Sequence, residues 1–306
     1  MKYAIIGAGG TGGVLAAYMT KAGKDVTIIA RGETLKAISE NGLILKTTAQ
    51  NITETIPVKV VSAENCQEKM DVVIVCVKGY SVDNIIPVIK KISHNNTIVI
   101  PILNIFTTGS KLQKSLPDLL VTDGCIYVVS NIEKPGVVLN HSKILKVVFG
   151  LREDNSALYE TRKAELNQIE NDLKESHIEA ILSQNILKEA LKKFSYVSPA
   201  GITGLYLNVT AGEIQKEGEA RELFKGLIRE VEKLANAMGI EYEEDLVNIN
   251  LQILDTLPKE TTTSMQRDVM ENKESEIDGL LHEIVRMAKQ YDISVPLYEK
   301  ASDKFM

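Results

Sequence analysis

The first thirty-one residues restrict the fold more tightly than any other stretch of the chain. Lys2 to Ile6 is a short apolar run, and Gly7-Ala8-Gly9-Gly10-Thr11-Gly12 follows at once with the spacing G-x-G-x-x-G. Helical spacing then puts Val14, Leu15, Tyr18 and Met19 on one side, Gly23 closes the helix, and Asp25 to Ile29 forms a second strand. Strand, glycine turn, helix and strand in that order form the context in which the motif reads as a dinucleotide-binding turn. Gly7 allows the tight turn, Gly9 leaves room for a pyrophosphate, and Gly12 lets helix and strand pack closely; Ala8, Gly10 and Thr11 complete the loop. The helix N-terminus offers free N–H groups and the positive end of its dipole to the phosphates.

The residue that ends the second strand separates the two nicotinamide dinucleotides. An acidic residue there accepts from the ribose hydroxyls. This chain has Ala30-Arg31-Gly32 instead. A planar guanidinium fork pairs with phosphate oxygens, so Arg31 points to NADP(H). Taken alone, Arg31 also suits an ordinary surface position after a strand.

Composition narrows the classes that remain. The 306 residues are 44% hydrophobic and 25% charged, enough for two ordinary domains. A net charge of −6 and the lack of a basic run argue against a nucleic-acid partner. Cys66, Cys76 and Cys125 are odd in number and form no C-x-x-C, as expected of free thiols in a reducing cytoplasm. The N-terminus reads as a cofactor strand rather than a signal peptide. No apolar run approaches the roughly 20 residues needed to cross a bilayer, so no membrane partner is expected. His94, His141, His177 and His282 lie far apart, which gives no metal-ligand spacing and predicts no metal site.

Up to about residue 184, strands and helices alternate. Asp71 to Val77 is a near-continuous apolar run of the kind found in a strand buried on both faces, and Thr97 to Ile100 is another. Helical stretches are expected at about 82–91 and 109–115, and strand-like runs near 119–129, 136–140 and 144–149. A charged helix over 156–174 and the run Ile178 to Leu182 close the series. Beyond it, Leu223, Phe224, Leu227, Ile228, Val231, Leu234, Ala235 and Met238 recur at helical spacing, as do Ile277, Leu280, Leu281, Ile284, Val285 and Ala288. The pattern predicts an α/β protein: a Rossmann-type dinucleotide-binding domain over residues 1–184, then an all-α domain over 185–306. Such a pair is expected to leave a cleft for a small molecule, and the apolar helical half permits a homodimer.

Six segments together resemble the ketopantoate reductase (2-dehydropantoate 2-reductase) family. They are the glycine loop, Ile29-Ala30-Arg31-Gly32, Val75-Cys76-Val77-Lys78, Leu191-Lys192-Lys193-Phe194, Thr263-Ser264-Met265 with Asp268, and Ser275-Glu276-Ile277-Asp278. The resemblance runs over almost the whole chain in the same order. It implies reduction of 2-dehydropantoate to pantoate with NADPH, on the way to pantothenate and coenzyme A, by a Rossmann domain followed by a helical one.

The resemblance also assigns roles. Lys193 matches the family's catalytic lysine. On a helix over about 185–197, Ile186, Leu187, Ala190, Leu191, Phe194 and Val197 share one face; Lys192 points away from it and Lys193 sits on its flank. Lys193 would act as general acid on the carbonyl oxygen; a solvated helix lysine is the plainer alternative. Glu276 would orient that ammonium or contact the substrate hydroxyl, although Glu276 and Asp278 also suit the first turn of a helix, where acids favour the dipole. Ser264 would bind the substrate carboxylate, and equally suits the cap of the helix that follows. Lys78 would contact the cofactor or the substrate, and Asn104 the nicotinamide ribose and the substrate; either would also serve as a loop residue satisfying local backbone.

Several positions depart from the family pattern. Ile105 stands where a glycine is usual after the asparagine, Val197 and Gly201 stand where asparagines are usual, and Leu191 replaces a tryptophan. These changes leave cofactor binding and hydride transfer intact and bear on the substrate, since lost hydrogen-bond partners shift preference by orders of magnitude. Two other readings stay open: a reductase of a different small 2-keto acid, and a non-catalytic NADP(H)-binding regulator.

Overall fold

Apolar runs with period two build the first half of the chain, and apolar stripes with helical period build the second. The computed structural model describes residues 1–152 and 156–305. Contacts divide it into two compact units, Met1–Leu103 with Thr107–Ile186, and Asn104–Phe106 with Leu187–Met306.

In the first unit the order is β1 (Lys2–Ile6), α1 (Gly10–Lys21), β2 (Asp25–Ile29), α2 (Gly32–Asn41), β3 (Leu43–Thr47), β4 (Ile52–Ile56) and β5 (Lys59–Val61). There follow β6 (Met70–Val75), α3 (Val82–Ile92), β7 (Ser93–Pro101), α4 (Thr108–Ser115), β8 (Leu120–Val121) and β9 (Asp123–Tyr127). The last are β10 (Ser130–Lys134), β11 (Val137–Asn140), β12 (Lys146–Gly150), α5 (Ser156–Glu175) and β13 (Glu179–Leu182). The main sheet is parallel throughout, in the order β5-β2-β1-β6-β7-β8. Chain order reverses on either side of β1, so the carboxyl ends of β1 and β6 border the crevice where ligands bind in open α/β sheets.

Both faces of this sheet are covered. Tyr3 and Ile5 of β1 pack with Leu15 of α1 and with Leu166 and Ile169 of α5, while Ala4 and Ile6 pack with Ile85 and Ile89 of α3 and Leu112 of α4. That alternation is why the central strands read as unbroken apolar runs. A buried polar link ties β1 to α5: the Tyr3 hydroxyl donates to Asp172 Oδ2 at 2.6 Å, and Lys24 Nζ donates to Asp172 Oδ1 at 2.8 Å. Burial alone would raise the Asp172 carboxyl, but the bonds from Lys24, Tyr3 and Gln168 outweigh it and hold the group below its ordinary value.

The first unit departs from the sequence expectation in its smaller sheets, and β10 forms between two of the expected runs. The run near 119–129 is not one strand: it divides at Thr122 into β8, on the parallel sheet, and β9, on a separate sheet of order β13-β12-β9. The stretch 43–61 holds three strands that the apolar-run criterion passed over. β3 alternates buried and half-buried residues and pairs with β4 and β11 in a second sheet of order β10-β11-β3-β4. Lys46, Thr53, Glu54 and Thr55 break up the apolar content there.

In the second unit the elements are α6 (Ile186–Leu207), α7 (Ala211–Ile214), α8 (Glu219–Ala237), α9 (Leu246–Asp255), α10 (Ser264–Met270), a π-helical turn (Asp278–His282), α11 (Glu283–Gln290) and α12 (Pro296–Lys304). Leu227, Val231 and Leu234 of α8 pack with Leu280, Leu281 and Ile284 to form its core. Helix α6 runs well past the end expected near 197, straight through Pro199. A proline cannot donate to the carbonyl four residues back, which strands the Ser195 oxygen. Asn250 Nδ2 on α9 donates to that oxygen at 3.1 Å, so the helix continues. Among the described residues no helix is long and apolar enough to cross a membrane.

Candidate functional site

The first unit carries the glycine turn between β1 and α1. Gly7 has φ +108°, a conformation closed to most side chains, and a Cβ there would lie 3.0 Å from the Cys76 carbonyl. A Cβ on Gly12 would lie 2.0 Å from the Gly7 oxygen, so that position admits glycine alone. A Cβ on Gly9 would meet nothing within 4 Å. Gly9 therefore faces open space at the helix N-terminus, where the first turn carries neither a side-chain cap nor an acidic residue. Its N–H groups are free for an anion. Gly10 is different: a Cβ there would lie 2.9 Å from the backbone of Ser130 and Asn131, so its missing side chain makes room for β10.

The loop after β6 leaves from the same edge. Val77 N would lie 3.0 Å from a Cβ on Gly7. The strand stops at Val75, two residues short of the apolar run, and half-buried Lys78 caps the short 3₁₀ turn Gly79–Ser81. Cys76 packs against Gly12, and burial pushes its thiol well up, so this neighbour of the turn stays uncharged. Arg31 is exposed at the N-cap of α2 and makes no ion pair among the described residues. The residues present fit a dinucleotide: an open glycine position, free amides at a helix end, an uncharged thiol and an available guanidinium.

The second unit holds the other predicted residues. Lys193 Nζ donates to Asn104 Oδ1 at 2.8 Å across 89 positions of sequence. Its neighbour Lys192 is tied to Glu244 Oε2 at 3.0 Å on the surface, so the two adjacent lysines have separate destinations. Asn104 opens a three-residue strap fixed at every position. Ile105 lies over Gly279, where an added Cβ would be 2.3 Å from Ile105 Cδ1, and the Phe106 ring sits edge-on to Phe194 with centroids 6.4 Å apart. The isoleucine that replaces a glycine after Asn104 is thus matched by a glycine on the turn it touches.

Glu276 stands just ahead of its helical turn rather than within it. Its carbonyl accepts the Leu280 N–H at 2.9 Å, and the residue is only 5% exposed. Asp278 does lie in the first turn, where both carboxylate oxygens take Arg286 at 2.8 and 3.0 Å. Ser264 is not the cap of α10. Thr263 is: its hydroxyl accepts from Gln266 N, and Gln266 Oε1 accepts from Thr263 N. Ser264, the first helical residue, is half-buried. This end of α10 crosses α6 about two turns beyond Lys193, where a Cβ on Gly201 would lie 2.8 Å from Met265 Cε.

The strap partners Phe106 and Gly279 escaped the sequence reading. Neither belongs to a motif, and their significance comes from a pairing across the chain. Pro199, inside an otherwise helical pattern, was the one signal that could have pointed to Asn250.

A parallel-sheet dinucleotide-binding unit followed by a helical unit defines the class. Residues 3–154 match ketopantoate reductase PanE/ApbA, and residues 185–303 match the C-terminal domain of the same proteins. The chain belongs to the ketopantoate reductase family; it is an oxidoreductase, and a nicotinamide dinucleotide is its implied cofactor. It is 26% identical over 300 residues to the uncharacterized oxidoreductase YkpB of Bacillus subtilis, covering 98% of this chain and 96% of the relative. It is 24% identical to the 2-dehydropantoate 2-reductase of Pyrococcus horikoshii, covering 97% and 94%. The fold also matches a D-mandelate dehydrogenase solved with NADH and anilino(oxo)acetate, with a TM-score of 0.88, 22% identity and coverage of 99% and 96%.

Proposed function

We propose that the protein reduces a small 2-keto acid to the 2-hydroxy acid with NADPH, and that ketopantoate, reduced to pantoate in the route to pantothenate and coenzyme A, is that substrate. The observation that carries this reading is the Lys193–Asn104 bond of 2.8 Å, which holds one ammonium oriented and half-buried while the adjacent lysine is committed elsewhere. NADPH, when bound, supplies the hydride. Lys193 stabilises the charge that develops on the carbonyl oxygen and passes it a proton, and the neutral amine is reprotonated from water. Asn104 aims the ammonium through its side-chain oxygen. Buried Glu276 holds the ammonium or the substrate hydroxyl, and Ser264 takes the substrate carboxylate. Arg31 takes the 2′-phosphate, and Lys78 helps to hold the dinucleotide.

A specific observation favours a second reading, in which the substrate is a different 2-keto acid. Met265 Cε occupies the space beside Gly201, so an asparagine could not enter there without displacing it. Val197 offers no side-chain hydrogen bond, and Ile105 adds bulk beside Asn104. The test is NADPH consumption with ketopantoate and a panel of other 2-keto acids. Turnover of ketopantoate supports the first reading, and Val197→Asn should then lower its KM. Turnover of another keto acid with none of ketopantoate at millimolar concentration promotes the second. Tight NADPH binding without turnover of any keto acid would instead indicate a regulator.

A further inference from the structure

Helix α6 is fastened to two neighbours just beyond Lys193, and one fastening leads to the turn that follows Glu276. Ser198, fully buried, donates from Oγ to the Leu280 carbonyl at 2.6 Å and lies 2.7 Å from the Tyr298 hydroxyl. A serine hydroxyl has one hydrogen. Since it goes to Leu280, the Tyr298 hydroxyl must donate to Ser198. The direction of the chain is therefore set: Tyr298 O–H to Ser198, then Ser198 O–H to Leu280. Leu280 belongs to the π-helical turn, and its own N–H holds the Glu276 carbonyl at 2.9 Å. One residue thus separates the Ser198 hydroxyl from the backbone of Glu276, and about one and a half helical turns separate Ser198 from Lys193.

Tyr298 is itself fixed. Glu230 accepts from the backbone N–H of Leu297 at 2.8 Å and of Tyr298 at 3.0 Å, which anchors the start of α12. The 195–199 stretch of α6 is held on another side by Asn250, which replaces the hydrogen bond that Pro199 cannot give. π-Helical turns are frequent at functional sites, and the Leu280 carbonyl of this one accepts a hydrogen bond from outside its helix. Here that outside partner comes from the helix that bears Lys193.

We propose that Ser198 is a positioning residue: its hydroxyl locks the helix carrying Lys193 to the turn that holds Glu276, and Tyr298 keeps that hydroxyl pointing at Leu280. The proposal rests on the reading of Lys193 and Glu276 given above. It predicts that loosening the lock misplaces a proton donor without touching the dinucleotide turn of the first unit.

The experiment compares Ser198→Ala, Tyr298→Phe and Lys193→Ala in the full-length protein, using the 2-keto acid that the panel identifies. The readouts are kcat, KM, the pH profile of kcat/KM, NADPH affinity and the unfolding midpoint. Ser198→Ala should lower kcat about tenfold or more, since small displacements of reacting groups are costly. It should also move the limb of the pH profile that Lys193 governs and leave NADPH affinity unchanged. Tyr298→Phe should shift both in the same direction by less, because Ser198 keeps its proton but gains freedom to turn, and it decides the matter if Ser198→Ala does not fold. Lowered unfolding midpoints with kcat and pH profile within twofold of the parent would overturn the proposal. If Lys193→Ala also keeps parental turnover, the functional reading has failed and the proposal falls with it. If Lys193→Ala is inactive while both lock variants are not, the proposal alone has failed.

Discussion

The glycine turn of the first unit and the Lys193 helix of the second reach their geometry by opposite means. The turn depends on atoms that are missing: Gly12 has no space for a methyl group, and Gly9 leaves space open at a helix end. The helix depends on bonds between side chains far apart in sequence, Lys193 to Asn104 and Ser198 to Leu280. Absence is a local property, so a motif of six residues can record it. Pairing is not local, and no spacing along one helix announces it. The two units to which they belong also treat buried carboxylates differently. Asp172 is held below its ordinary value by donors, whereas burial raises Glu230 despite its two backbone donors.

The largest effect expected from breaking this contrast lies at Lys193. Lys193→Ala should reduce kcat about 10²–10⁴-fold, the usual cost of a lost general acid. Lys192→Ala should stay within about twofold, because an exposed ion pair contributes little. Equal small effects in steady-state assays would remove Lys193 from the chemistry. Next come the two glycines. Gly12→Ala should destabilise the fold by about 1–3 kcal/mol or more, since the added methyl overlaps the Gly7 carbonyl. Gly9→Ala should leave the unfolding midpoint near the parent's and weaken NADPH binding. Denaturation and cofactor titration on the pair should therefore give opposite patterns, and the same pattern in both would undo the distinction between filled and open positions.

Arg31→Ala should erase most of the preference for NADPH over NADH, about ten- to a hundredfold for a lost charge-assisted bond. Equal affinity for both cofactors in the parent would show the NADP assignment to be mistaken. The smallest effect is acid sensitivity. Asp172 has a lowered folded value, so its contribution is present above about pH 4, its unfolded value, and is lost as pH falls through the folded value. Glu230 has a raised folded value, so its contribution is complete below its unfolded value and is lost as pH rises through the folded one. Asp172→Asn should flatten the acid limb of stability measured by urea unfolding at stepped pH. An unchanged limb would mean that the Tyr3–Asp172–Lys24 link carries none of it.

Legibility in the sequence follows the same division. The central strands and α1 could be read because burial on both faces leaves unbroken apolar runs and glycines mark the turn. β3 and β4 escaped because Leu43 to Leu45 is too short an apolar run before Lys46, and Thr53, Glu54 and Thr55 stand in a row between the two isoleucines of β4. The length of α6 escaped because Pro199 ordinarily ends a helix, and the donor that permits it sits on α9. Lys193 and Asn104 were each singled out, but nothing in either segment foretold a bond between them. Ser264 shows the limit of local rules: each of Thr261, Thr262, Thr263 and Ser264 has a hydroxyl that suits a cap, and the capping box with Gln266 selects Thr263.

The strap Asn104–Phe106 has a consequence for cutting the molecule apart. The backbone passes between the two units at three places, after Leu103, after Phe106 and after Ile186. A protease that nicks the chain near residue 186 severs only the last of these. The N-terminal fragment keeps the strap, and with it the asparagine, the isoleucine and the ring that Lys193, Gly279 and Phe194 receive. The nicked halves should therefore copurify, and a helical half expressed alone from residue 187 would lack three of its own side chains. Supplying them would require a relocated copy of the segment rather than a shifted boundary.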